Sequence, residues 1–268
     1  MIKIEKNLAL VPNSLQIPLD EFFPDGIPIT TITTHNRRLE LINLGKYVNT
    51  GVYNSRYKQH DTQAALRLIY RNKCAFCEQR VEQSHIEHYR PKSKYWWLAY
   101  SWDNLLLACP TCNIHKNNNF EITGRKATPI NIEANIRTLH SNSSTYDLEE
   151  KPKMINPEII DPIGNIRFRW NGMIESDDVR FKYTIKICKI DREGLNDQRR
   201  KIIDILKRDI KSAIIDNDSM EDQQAEIDVL IRKFIRDSRD GELQFLAFRR
   251  HIISQSWINE IIKTLTQN

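Results

Sequence analysis

The sequence lacks any long apolar run, and no stretch approaches the ~18 consecutive apolar residues that a membrane-spanning helix needs. Its first residues, MIKIEKNLALVPNSLQ, contain neither the apolar core nor the small-residue cleavage site of a signal peptide. A 40% hydrophobic and 28% charged composition excludes wholesale disorder. We therefore expect a folded cytoplasmic protein whose five cysteines are thiols or metal ligands rather than disulfides.

A strong net charge is also absent, since 40 Lys and Arg oppose 35 Asp and Glu. The charge is unevenly placed: the 60 residues from Arg67 to Lys126 hold ten basic and five acidic residues, and the remainder holds thirty of each sign. Such a local excess attracts polyanions such as nucleic acids. Chance clustering on a solvated surface is an equal alternative from charge alone.

Local patterns divide the chain into a variable first part and a helical last part. Four prolines within the first 28 residues predict an extended arm over 1 to about 33. Apolar spacing over 35–72 predicts two helices with a break near Gly51, and the run IRFRW at 166–170 is β-like. Beyond about residue 180, apolar residues recur at helical spacing. We predict three regions: N-terminal arm and helices at 1–66, a Cys-rich core at 67–126, and a mostly helical region at 127–268.

Two C-x-x-C pairs, Cys74 with Cys77 and Cys109 with Cys112, carry the strongest motif. Each pair can place two thiolates on one ion, and two pairs complete a closed tetrahedral Cys₄ zinc site, which is structural. The 31 intervening residues require a folded insert inside this clip. A redox pair or ordinary core cysteines are the alternatives. Cys188, alone in an amphipathic run, is expected to be a small buried apolar residue.

The insert carries an ordered set of motifs: His85-Ile-Glu-His88, then Tyr-Arg-Pro-Lys, then Trp-Asp-Asn104 before an apolar strand, and C-x-x-C-N-x-x-K. Together these resemble the HNH nuclease family over residues 74–122. The stretches I-E-H-Y-R-P-K-S and N-L-L-L-A-C-P-T-C-N look like the PtuB-type HNH nucleases of Septu and some retron antiphage systems. Residues 155–174 and the segment containing Gly194-Leu195-Asn196 extend this resemblance, more weakly, to about residue 205. The resemblance implies an α+β fold in which a small ββα-metal core, clipped by zinc, is embedded in a mainly helical chain.

The family motif implies a role for each matching residue. His88 corresponds to the general base, and Glu87 to the carboxylate that holds a divalent cation, where Asp is commoner in the family. Because adjacent strand residues face opposite ways, both can serve one site only if the strand ends or bulges, and the nearby Pro91 favours an end. Asn104 corresponds to the central Asn that orients the hairpin loop; an ordinary loop Asn is the alternative.

Asn113 stands where many HNH proteins have the last histidine, and its amide oxygen suits a hard cation, Mg²⁺ or Mn²⁺. His115 is the rival ligand. On a helix starting near Cys112, residues 113 and 115 point roughly 200° apart, whereas 113, 116 and 117 share a face, so we prefer Asn113. Lys116 beside it is expected to contact the substrate phosphate and neutralise its charge. His85 could contact metal or phosphate, or be a structural histidine.

Basic and aromatic residues follow the expected base. Arg90, Lys92 and Lys94 are candidates for phosphate contacts, with a solvated basic loop as the alternative. The aromatic residues could stack on bases, but at this density we expect a core. They are Tyr95, Trp96, Trp97, Tyr100 and Trp102.

The resemblance therefore predicts a metal-dependent endonuclease with a structural zinc and a catalytic Mg²⁺ or Mn²⁺. It implies an antiphage role beside a PtuA-like ATPase partner. DNA is the default substrate, and RNA, including tRNA, stays open. The alternative is a zinc-stapled binding or adaptor module whose catalytic centre is silent, which the residues at 87 and 113 motivate.

Overall fold

A computed structural model describes residues 1–16, 33–83, 85–129 and 139–267. Its strands are β1 (His85–His88), β2 (Leu105–Ala108), β3 (Arg167–Phe168) and β4 (Ile174–Glu175). Its helices are α1 (Thr34–Leu44), α2 (Gly51–Asn54), α3 (His60–Ile69), α4 (Pro110–Lys116), α5 (Ser143–Glu150), α6 (Val179–Ile187), α7 (Glu193–Ile215), α8 (Met220–Asp237), α9 (Leu246–Ser254) and α10 (Trp257–Thr266). No helix in these described segments is long and apolar enough to cross a membrane.

The Cys-rich region folds around one antiparallel hairpin and one helix. β1 pairs with β2 so that His85 faces Ala108 and His88 faces Leu105. α4 starts directly after β2, because Cys109 caps its first turn and Pro110 fits the first helical position, where no N–H is needed. This ββα unit, together with the helices and the two small antiparallel sheets of the described residues, confirms the expected α+β fold.

The connection between β1 and β2 contributes most of the local core. Short 3-10 helices at Trp96–Leu98 and Trp102–Asn104 turn the chain back on itself. The aromatic residues of this connection are buried, with Trp96 only partly so. The expectation of a core rather than a base-stacking platform is therefore confirmed.

The N-terminal region differs in detail from its prediction. The described part of the arm includes a 3-10 turn at Asn13–Leu15, and residues 17–32 lie outside the described segments. The two predicted helices are α1 and α3, but Gly51 begins the short additional helix α2 rather than only ending a helix. A further 3-10 turn, Arg56–Lys58, places the chain against the hairpin connection.

The C-terminal region is helical from α6 onwards, as expected, and the β-like run forms the β3–β4 hairpin. Gly172 turns this hairpin at φ +83°, and a Cβ there would lie 2.1 Å from the Asn196 carbonyl oxygen, so a side chain is excluded. One continuous set of buried apolar side chains extends from Met1 to Ile261 through all three regions. The boundaries at 66/67 and 126/127 stay a prediction.

Candidate active site and metal centre

The four cysteines of the two knuckles converge at one end of the ββα unit. Their sulfur atoms lie within 4.8 Å of one another, and all four side chains are buried. The Sγ atoms of Cys77 and Cys109 are 3.8 Å apart. Zinc–sulfur bonds of ~2.3 Å in a tetrahedron put sulfurs about 3.8 Å apart, so this cluster fits a Cys₄ metal site. Cys188 is separate and fully buried, as expected of an apolar residue.

An arginine from the C-terminal region completes the surroundings of this cluster. Arg192, directly before α7, places its guanidinium nitrogens 3.6 Å from Cys112 Sγ, 3.8 Å from Cys77 Sγ and 3.9 Å from Cys109 Sγ. Burial opposes its charge, but the adjacent cysteine sulfurs raise the pKa of Arg192 above its usual value. Four thiolates around one divalent cation carry net negative charge, which this guanidinium offsets. Sequence reasoning missed Arg192, because it lies 80 residues beyond the second knuckle.

A polar cleft of about 310 Å³ opens beside the end of β1, away from the sulfur cluster. Glu87 and His88 line it together with Lys92, and Asn113 contributes from α4. β1 ends at His88, so the two adjacent side chains both reach the cleft, as the expected strand end requires. Among the described residues that line it, Glu87 is the only carboxylate.

His88 is held in one tautomer and is 5% exposed. Its Nε2 lies 2.9 Å from the Ala99 carbonyl oxygen, which can only accept, so Nε2 carries the hydrogen and Nδ1 carries the lone pair of the neutral ring. Burial, with the charge of Lys92 as a lesser cause, lowers the pKa of His88 to about 3. The imidazole is therefore neutral at pH 7. An anionic phosphate nearby would raise that pKa towards the range useful for proton transfer.

Glu87 forms an ion pair with the fully buried Lys116, whose Nζ lies 2.9 Å from Oε1. The same ammonium donates to the His88 carbonyl oxygen at 2.6 Å. Burial raises the pKa of Glu87, and Lys116 opposes that shift. Lys116 does not line the cleft, so its expected phosphate contact is corrected: the lysine stabilises the end of β1 from beneath.

Asn104 bridges the two sides of the hairpin connection. Its Oδ1 accepts from the Arg90 N–H at 2.7 Å, and its Nδ2 donates to the carbonyls of Arg90 and Leu98, both at 3.1 Å. The side chain is fully buried. These bonds fix the loop that carries Ala99, and hence the acceptor that orients His88. The geometry suits the loop-orienting role.

Asn113 lines the cleft and its Nδ2 lies 3.1 Å from Nδ1 of the exposed His85. His115 is exposed and does not line the cleft. The helical phase argument thus placed these two residues on the correct sides of α4. Among the described residues, the cysteine cluster is the only convergent group of three or more His, Cys, Asp or Glu side chains. A cation here would take oxygens from Glu87 and Asn113, a set that suits Mg²⁺, which keeps waters and phosphate oxygens as its other ligands.

Arg90 does not reach the cleft, which corrects its expected phosphate contact. It is fully buried, with Nε 2.8 Å from Glu150 Oε2 and Nη2 2.5 Å from Asp147 Oδ1, so it joins the hairpin loop to α5. Lys92 does line the cleft; its Nζ donates to Asn54 Oδ1 at 2.8 Å and to the Tyr57 hydroxyl at 2.6 Å.

One wall of the cleft comes from outside the Cys-rich region. Tyr57, Lys58 and Gln63, from the 3-10 turn and α3, face the end of β1. No motif marks them, because their proximity to His88 arises from tertiary packing. The cleft therefore has two lining lysines, Lys58 and Lys92, and a single carboxylate that is already paired with Lys116.

Comparison with known proteins identifies the class to which this unit belongs. Residues 74–119 match the model of the HNH endonuclease family, so the clip, the hairpin and α4 form an HNH endonuclease domain. This confirms the family resemblance on the segment that carries its motifs.

Two curated relatives extend the similarity beyond that domain. The chain is 30% identical to the Septu protein PtuB of Bacillus mycoides (strain KBAB4) over 165 residues, covering 54% of this chain and 52% of the relative. It is 26% identical to the Septu protein PtuB of Bacillus thuringiensis over 132 residues, covering 48% of this chain and 40% of the relative. The chain thus spans about half the length, or less, of the curated relatives it matches.

Proposed function

We propose that this protein is a metal-dependent HNH endonuclease that hydrolyses phosphodiester bonds in nucleic acid. The observation that carries the proposal is the hydrogen bond from His88 Nε2 to Ala99, which leaves Nδ1 unprotonated, in a residue that lines the same cleft as Glu87. Phosphodiester hydrolysis needs an activated water and stabilised charge on the phosphate. In this proposal His88 Nδ1 takes the proton of the attacking water. Asn104 keeps the imidazole in place through the loop that holds Ala99.

Glu87 and Asn113 are the proposed holders of the catalytic Mg²⁺ or Mn²⁺, which would stabilise negative charge on the scissile phosphate when bound. Lys92 and Lys58 are the cations that would meet the nucleic-acid backbone, because both line the cleft. The cysteine cluster is proposed to hold Zn²⁺ with a purely structural role, since four thiolates leave no open position for water.

DNA is the proposed first substrate. RNA, including tRNA, is the second, because the groups of the cleft would contact a phosphate rather than a base. Because the two relatives are Septu proteins PtuB, we propose a role in antiphage defence. The bacterial cytoplasm is the proposed location. We propose that the chain works there with a PtuA-like ATPase, which restrains or targets the nuclease.

A catalytically silent adaptor is the second candidate, and one observation favours it. The Glu87 carboxylate is already engaged by Lys116, so a cation must compete with a buried ammonium for that ligand. In that case the zinc-stapled domain would bind nucleic acid or the ATPase without cleaving.

A cleavage assay separates the two candidates. Purified protein with quantified zinc is incubated with supercoiled plasmid, single-stranded DNA or tRNA, in Mg²⁺, Mn²⁺ or EDTA, with and without the ATPase. We expect cleavage that needs the divalent cation and disappears in His88→Ala. Binding without cleavage under all of these conditions, or identical products from His88→Ala, would reject the enzyme and leave the adaptor.

A further inference from the structure

The segment before the HNH domain supplies a side chain with two contacts in the cleft. Tyr57 follows α2 in the 3-10 turn Arg56–Lys58, and it is 4% exposed. Its ring lies edge-on to the His88 imidazole, with centroids 4.6 Å apart and planes at 83°. Its hydroxyl lies 2.6 Å from Lys92 Nζ and 3.3 Å from Asn54 Oδ1. One residue therefore touches both the proposed base and the proposed phosphate-binding cation.

The ring contact complements the hydrogen bond at the other side of the imidazole. The bond from Nε2 to Ala99 fixes one point of the His88 ring but still allows the plane to tilt. The Tyr57 ring, perpendicular to the imidazole with centroids 4.6 Å apart, restricts that tilt and therefore the direction in which Nδ1 points. The orientation of a general base matters because small misplacements of reacting groups lower the reaction rate by large factors.

The hydroxyl contact restrains a flexible lysine. The Lys92 ammonium lies 4.5 Å from the Tyr47 ring centroid and 4.7 Å from that of Tyr57. Two of its three hydrogens are engaged by Asn54 and Tyr57, which leaves one for an anion in the cleft. A free lysine side chain has high rotamer entropy, and much of that freedom is already lost here before substrate arrives.

We infer that Tyr57 is a positioning residue of the nuclease site, whose ring sets the plane of His88 and whose hydroxyl holds Lys92 towards the substrate phosphate. This inference rests on the proposed endonuclease function. It assigns a part of the site to the N-terminal region, outside the residues that match the HNH family. A tyrosine that only filled the core could satisfy its hydroxyl with Asn54 and would not need to contact both His88 and Lys92.

Tyr57→Phe keeps the ring and removes the hydroxyl, and Tyr53→Phe is the matched control. Tyr53 loses an equivalent bond, to Glu40 at 2.9 Å, in the same segment but away from the cleft. Burial, with repulsion from Lys58 and attraction to Glu87, lowers the pKa of Lys92 to about 8. Besides those two charges, the titratable groups around it are His88, Tyr47 and Tyr57. Loss of a hydrogen-bond acceptor should lower that pKa further, since the bond favours the charged form.

The first readout needs no cleavage. In protein carrying ¹³C-labelled lysine, the Lys92 resonance, assigned with Lys92→Arg, is titrated in each variant. We expect its midpoint in Tyr57→Phe to fall by about half a pH unit or more, and to stay unchanged in Tyr53→Phe. Equal midpoints in wild type and Tyr57→Phe would overturn the role of the hydroxyl.

The second readout is the pH profile of cleavage. Tyr57→Phe should lower kcat/KM about 3- to 10-fold and move the alkaline limb to lower pH, because Lys92 loses its charge earlier. Tyr57→Leu, with zinc content and melting checked, should lower kcat in addition, because the ring contact is lost. If His88→Ala is inactive while both Tyr57 variants match Tyr53→Phe, only this inference fails. If His88→Ala cleaves like wild type, the proposed function fails first.

Discussion

The two ends of the ββα unit are stabilised by different means, although α4 serves both. At the clip end, Cys112 joins three other cysteines in a buried cluster flanked by Arg192. At the cleft end, Asn113 faces an open polar cavity, and Lys116 holds the end of β1 by hydrogen bonds. One end is closed around sulfur, and the other keeps polar groups within reach of solvent.

This difference shows how so short a scaffold can present a reactive site. β1 and β2 have four residues each and α4 has seven, lengths that are marginal for isolated strands and helices. The ordering must therefore come from the clip and from burial of the connecting loop. With order supplied at one end, the other can hold a neutral buried imidazole and a lysine-paired carboxylate beside a polar cleft.

The largest effect is expected from opening the clip. Cys109→Ser should abolish zinc binding and unfold residues 74–122 locally, because structural zinc contributes about 10 kcal/mol or more to such domains. Zinc quantification and hydrogen exchange check this, with wild type expected to bind about one zinc per chain. Cys188→Ala, a buried cysteine outside the cluster, is the control and should keep its zinc. Full zinc content with unchanged melting in Cys109→Ser would contradict the role of the clip.

The next largest effect distinguishes Arg90 from Lys92, two basic residues of the same loop. Arg90→Met should cost about 3–5 kcal/mol of unfolding free energy, because Glu150 loses its partner in a fully buried ion pair. Lys92→Met should cost about 1 kcal/mol or less but weaken nucleic-acid binding, because Lys92 lines the cleft. Denaturant unfolding and binding titrations of both variants test this. The reverse pattern would show that the cleft has been placed on the wrong side of the loop.

A smaller effect tests whether the C-terminal region supports the clip. Arg192→Gln should weaken zinc affinity about 10- to 100-fold, since its N–H groups and charge no longer offset the thiolates. Competition with a chromophoric chelator measures this. Arg200→Gln, on the helix that begins directly after Arg192 and paired only at the surface, is the matched control. Equal zinc affinities in the two variants would show that Arg192 does not support zinc binding by the clip.

The smallest expected effect is on the pH dependence of stability, through His140. His140 Nδ1 accepts from the Trp102 N–H at 3.0 Å, and burial, with Arg38 as a lesser cause, lowers the pKa of His140 to about 3. Between that pH and an unfolded value of about 6.5 only the unfolded chain binds the proton, so stability falls as pH falls through this range.

His140→Asn keeps an acceptor but cannot titrate. From pH 6 to 4, its unfolding free energy should depend less steeply on pH than that of wild type, by up to about 1.4 kcal/mol per pH unit. Denaturant unfolding of zinc-loaded protein at several pH values measures the two slopes. Parallel curves would mean that His140 is protonated in the folded protein.

Much of the domain was predictable because its signals are local. The paired spacing of the cysteines predicted that their four sulfurs converge. The position of Asn104 before an apolar strand identified it as a candidate for orienting the hairpin loop, to which it is hydrogen-bonded. Helical phase alone separated Asn113 from His115. Each of these inferences needs only a few residues of neighbouring sequence.

The predictions that failed, and the residues that were missed, involve partners that are distant in sequence. Arg90 was assigned to phosphate because it is basic and follows His88, but Asp147 and Glu150, about 60 residues later, bury it. Lys116 lies on the predicted helix face, yet it turns inward to Glu87. Tyr57 and Arg192 carry no motif, and their contacts exist only once the helices before and after the domain have packed.

The central claim is that the His88 imidazole acts as a base at the cleft while the clip only supports it. The most direct measurement is the single-turnover cleavage rate of zinc-loaded His88→Ala beside His115→Ala, an exposed histidine on α4 outside the cleft. We expect a loss of about 100-fold or more in His88→Ala, with zinc content and the rate of His115→Ala unchanged. Equal rates for the two variants at full zinc occupancy would contradict the claim.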